Sequence, residues 1–166
     1  MSSEIPSFIE EIRDIGGIKG IIGIEFYVSL FFTVMTTIII LYLEHTGVNL
    51  MPELSPLFSI FLATSGALLG FVVAAFALTL SVGSDPFKKM FHDSEWFKEL
   101  RIDFSLTAML IGICAVVSIF GLLLANSVPY LLLATIFLLS MFFFLWGIMN
   151  IIVLITNSMR VMGLFS

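Results

Sequence analysis

The sequence predicts an all-α polytopic membrane protein: a bundle of four transmembrane helices with both ends on the cytoplasmic side. Three observations carry this. Hydrophobic residues make up 60% of the 166 residues, charged residues 11%, and the mean hydropathy is +1.16, whereas soluble domains run about 45–50% apolar and about 25% charged. Four long runs with almost no charge each suffice to cross a bilayer core of about 30 Å as a helix. All seven lysines and arginines fall in segments that four crossings place on one side, which the positive-inside rule assigns to the cytoplasm. The net charge of −5 argues against a nucleic-acid surface, which needs clustered basic residues.

Residues 1–20 read as a cytoplasmic amphipathic arm. Ile5, Phe8, Ile12 and Ile15 recur at helical spacing, with Glu4, Glu10, Glu11 and Asp14 on other faces. Gly16 and Gly17 end this helix, and Gly20 and Gly23 lead into the first span as a hinge. The run GGIKGIIG lacks the spacing and preceding strand of a dinucleotide fingerprint. The acidic opening MSSEIPSFIEEIRD is unlike the basic start of a secretory signal, so the first span is expected to be retained.

The first span covers 21–43. It carries a polar stripe of Glu25, Ser29, Thr33 and Thr36, with Thr37 beside it. An embedded carboxylate is costly, so this stripe is a candidate ion path. The rival readings are a hydrated Glu25 near the interface and hydroxyls bonded to their own backbone. An external loop, 44–56, follows without a basic residue. The second span, 57–82, bears Ser59, Ala63, Gly66, Gly70, Ala74, Ala77 and Ser81, one face of small residues. Such faces let helix backbones approach closely where lipid removes the hydrophobic drive. The third span, 104–124, has a shorter version in Ser105, Ala108, Gly112 and Ala115. Three readings stand: the two stripes face each other within a subunit, one faces another subunit, or the second span lines a narrow pore.

Between these spans lies a cytoplasmic amphipathic link, 83–103. Pro86 follows Ser84 and Asp85 as a helix start, and Asp93 or Ser94 starts a second helix running into the third span. Phe87, Lys88, Lys89, Phe91 and Trp96 suit either anchoring at the bilayer interface or docking a cytoplasmic protein partner. A tight external turn, 125–129, leads to the fourth span, 130–155, and a tail, 156–166. Asn150 and Asn157 share a face with Gly147 and are candidates for hydrogen bonding between helices. Phe142, Phe143, Phe144 and Trp146 pack the bundle or meet lipid. The prolines, at 6, 52, 56, 86 and 129, are all expected outside the spans.

Catalytic patterns are missing. His45 and His92 fall on opposite sides of the membrane, Cys114 is the single cysteine and reads as a small buried hydrophobe, and there is no P-loop, HExxH or GxSxG. No enzyme activity, cofactor or metal is expected.

The unit Ser65–Ser81, SGALLGFVVAAFALTLS, followed by a Phe- and Lys-containing link and two further spans, resembles small four-span prokaryotic membrane proteins. Some of these are encoded beside antiviral defence genes, including CRISPR-accessory and Kiwa-type membrane components. The resemblance covers Ser65 to Leu124 and implies a membrane effector or sensor that oligomerises and works with a soluble partner. It carries over no catalytic residue. The functional expectation is an oligomeric accessory or effector protein of a prokaryotic plasma membrane that forms a pore or alters permeability. The alternatives are a structural or partner-docking subunit of a larger membrane complex and a small ion transporter.

Overall fold

A computed structural model describes residues 23–48, 50–81, 95–125 and 127–164, with side chains for all of these except 51, 79–81, 95–99 and 157–164. The arm, residues 83–94 of the link and the docking residues Phe87, Lys88, Lys89 and Phe91 lie outside the described residues, as do the side chains of Ser81, Trp96 and Asn157.

The described chain is four helices: α1 (Ile24–His45), α2 (Met51–Ser81), α3 (Glu95–Leu124) and α4 (Tyr130–Leu164). All four are long and apolar enough to cross a membrane. Lipid dictates this outcome, because only a helix satisfies every backbone donor and acceptor within its own segment. The chain is therefore a multi-pass membrane protein with an all-α four-helix architecture.

Two boundaries differ from expectation. α2 begins at Met51, so Pro52 and Pro56 both lie inside it rather than in a loop. Proline has no N–H to offer the carbonyl four residues back, and Pro56 sits in the second turn with its side chain exposed. The connection from α1 is correspondingly short. It is closed by a glycine in left-handed conformation, Gly47 at φ +82°: the Gly47 N–H donates to the Glu44 carbonyl and the Val48 N–H to the Leu43 carbonyl. This Schellman arrangement satisfies the last carbonyls of α1. α4 also runs beyond the expected end of its apolar run, to Leu164.

The helices are not equally neighboured. α2, α3 and α4 pack mutually, whereas the backbone of α1 comes close to α4 alone. Aromatic rings mark the contacts. Phe26 of α1 meets Phe142 and Trp146 of α4 edge-on at 5.5 and 5.1 Å. Phe61 of α2 stacks on Phe137 at 5.5 Å and lies 5.0 Å from Phe144. Phe76 of α2 meets Phe104 of α3 at 5.2 Å. The aromatic run of α4 thus clamps α1 on one side and α2 on another, each ring pair contributing about 0.5–1.5 kcal/mol beyond its area.

The interior has two apolar clusters. Leu54, Phe58, Ala125, Leu133 and Phe137, joined by Ile40 of α1, fill the end next to the short turns. Val72, Leu100, Phe104, Ile111 and Leu154 fill the other end. The chain order of these residues on three antiparallel helices leaves a layer between the clusters, and that layer is polar.

Candidate functional site: a buried polar seam and an open small-residue face

The middle layer is built from Ser65 of α2, Cys114 and Ser118 of α3, and Ser140 of α4, all fully buried. The Ser118 and Ser140 hydroxyls lie 2.6 Å apart. Ser65 donates to the Cys114 sulfur at 3.3 Å, and Ser140 lies 3.5 Å from both that sulfur and the Cys114 carbonyl. One hydroxyl from each outer helix therefore converges on α3. Sequence reasoning missed this set. It singled out none of the three serines and read Cys114 as a hydrophobe. The available signal was the spacing of Cys114 and Ser118, which puts two polar groups on one face of α3, but nothing in the sequence named the partners.

Six other hydroxyls behave differently. Ser29 donates to the Glu25 carbonyl, Thr33 to Ser29 and Thr37 to Thr33, at 2.7 to 2.8 Å. Thr107, Thr135 and Thr156 do the same toward Asp103, Leu131 and Ile152. This bond to the carbonyl four residues back is the usual refuge of a hydroxyl in a membrane helix. The candidate ion path is thus a ladder of hydroxyls committed to their own backbone, running through Thr37, with Thr36 half-buried beside it. Glu25 sits in the first turn of α1, where the positive end of the helix dipole favours a carboxylate. Ser29 is buried on α1, as is Ile40 further along the helix.

The small-residue stripe of α2 faces outward. Ser59, Ala63, Gly66, Gly70, Ala74 and Ala77 are all exposed, and a Cβ at Gly66 or Gly70 would meet nothing within 4 Å. The stripes of α2 and α3 therefore do not face each other within the protomer. α2 presents Leu54, Phe58, Ser65 and Val72 to its neighbours instead. Gly112 of α3 is likewise in open space. The glycines at close approach are two others. A Cβ at Gly121 would fall on the ring of Phe58, and one at Gly147 would lie 2.9 Å from Cγ1 of Ile111.

Asn150 donates one of its two amide N–H groups to the Trp146 carbonyl of its own helix at 2.9 Å. The Trp146 indole nitrogen and the Tyr130 hydroxyl are buried with no hydrogen-bond partner. Among the described residues, no three His, Cys, Asp or Glu side chains gather as a metal site would require.

The class these features define is a multi-pass membrane protein of four apolar helices. No protein-family model, curated protein or solved structure matches the chain.

Proposed function

We propose that the protein is an oligomeric accessory or effector component of a prokaryotic plasma membrane, with both ends and the 83–103 link in the cytoplasm, and that its copies join through α2. The observation that supports this is the outward row Ser59, Ala63, Gly66, Gly70, Ala74 and Ala77. A helix facing only lipid has no need of small residues at every turn, whereas close helix–helix contact does. The effect we propose is altered membrane permeability, in the antiviral-defence setting that the resemblance of Ser65–Ser81 suggests. The assembly is the unit that acts, because apolar clusters and the serine–cysteine layer occupy the interior of each protomer.

Gly70→Leu tests the interface. The leucine points away from the protomer, where a Cβ meets nothing, so the protomer folds while close approach of two α2 helices is blocked. Cross-linking in liposomes and mass in a mild detergent are expected to show oligomers for the native chain and loss of them in the variant. Unchanged assembly refutes the role of the stripe. Vesicles of the native protein that retain an entrapped dye under every partner condition refute altered permeability. A native chain that stays monomeric yet copurifies with a partner lost on deleting residues 1–15 replaces this reading with a docking subunit.

A further inference from the structure

We propose that the Ser118–Ser140 pair, with Ser65 and Cys114 beside it, is a reversible polar latch that holds α2 and α4 against α3, and that Cys114 becomes reactive when the latch opens. The contrast among hydroxyls carries this. Ser29, Thr33, Thr37, Thr107, Thr135 and Thr156 all bond to their own helix, whereas Ser65, Ser118 and Ser140 reach across to another helix and are fully buried in doing so. These three forgo the local bond to make a joint between three helices. The own-backbone bond stays available to each serine when the helices part, so the open state leaves no orphaned hydroxyl in lipid. That fallback is the reason interhelical hydrogen bonds in membranes are weak, and it makes this latch one that opens and recloses. The apolar clusters on either side close the bundle ends, and the seam between them fixes the register of the three helices. The latch belongs to a single protomer and is independent of the proposed assembly through α2.

The chain has one cysteine, so alkylation reports on this place alone. The Cys114 thiolate adds to the maleimide double bond, and the closed bundle hides the sulfur completely. The experiment measures the rate at which N-ethylmaleimide modifies the full-length protein in liposomes. Ser118→Ala and Ser140→Ala are each expected to raise the rate about three- to twenty-fold, the range corresponding to one interhelical bond. The double variant is expected to rise little beyond Ser140→Ala alone, because that variant already removes the Ser118 bond along with its own contacts to Cys114. Ser65→Ala, which removes a different bond, is expected to multiply the effect of Ser118→Ala. Thr135→Ala, which loses only an exposed bond to its own helix, is expected to leave the rate unchanged. Helix content and elution volume are measured for each variant, and the comparison is made among those that match the native protein. Native protein that reacts as fast as the serine variants overturns the latch. So do serine variants that react no faster than native, and so does a double variant whose effect is the product of the two singles.

Discussion

Gly121→Ala is the sharpest test of how α2 and α3 are packed. The added methyl would fall on the ring edge of Phe58, 2.5 Å from Cζ and 2.6 Å from Cδ1. That ring has no room to yield: Phe58 is fully buried and lies edge-on to Phe137 at 5.9 Å. Overpacking of this kind costs about 1–3 kcal/mol. Alanine also favours the helix over glycine by about 1 kcal/mol, which would mask a small effect. The proper reference is therefore Gly112→Ala, nine residues earlier on the same helix, where the new methyl meets nothing within 4 Å. The propensity gain cancels between the two variants, leaving the steric cost as their difference. The assay is reversible unfolding in mixed micelles, followed by far-ultraviolet circular dichroism. Gly121→Ala is expected to be about 1–3 kcal/mol less stable than Gly112→Ala. Phe58→Leu in the Gly121→Ala background is expected to recover part of that loss, because the shorter side chain vacates the collision. Equal stability of the two alanine variants, or no recovery from Phe58→Leu, refutes the close approach.

Other outcomes follow from the same geometry. Phe26→Ala removes two edge-on ring contacts from the α1–α4 joint; it is expected to weaken that joint by about 1–3 kcal/mol and to shift the Trp146 fluorescence measured in a Trp96→Phe background. Thr33→Val, whose lost hydroxyl bonded only to its own helix, is expected to change unfolding by less than about 0.5 kcal/mol, and ion flux in liposomes is expected to stay at the native level. Asn150→Leu is expected to leave oligomer mass unchanged, since the amide donates within α4. Gly147→Ala is expected to destabilise by about 1–3 kcal/mol in the same unfolding assay, because the new methyl would lie 2.9 Å from Cγ1 of Ile111.

The four helices were legible because a bilayer imposes one solution on a long apolar run. Their boundaries were less so. Pro56 looks like a stop, yet it lies in the second turn of α2, and the sequence offered no means of weighing that position against a loop. Periodicity also marked the small face of α2 correctly as a face, but not which way it points. In water, the apolar side of a helix is the inward side. In lipid that rule fails, because exposed residues such as Phe71, Val73 and Leu78 are as apolar as buried Val72. The serine–cysteine layer was illegible for a related reason. A serine bonded to its own turn and one bonded to a neighbouring helix have the same local sequence, and only the assembled packing separates Ser29 from Ser140.

The lone attachment of α1 to α4 also governs how the chain is built. α2, α3 and α4 can close their shared core as they emerge in turn, whereas α1, made before them, finds its backbone neighbour only after α4 has been inserted. Until then α1 lacks its ring contacts with Phe142 and Trp146. Its hydroxyls at 29, 33 and 37 are satisfied within the helix, and its outer surface of Leu30, Phe31, Val34, Ile38 and Leu41 is compatible with acyl chains on its own. The first helix is thus composed to face lipid over most of its surface, and its ring contacts with Phe142 and Trp146 form only once α4 is beside it.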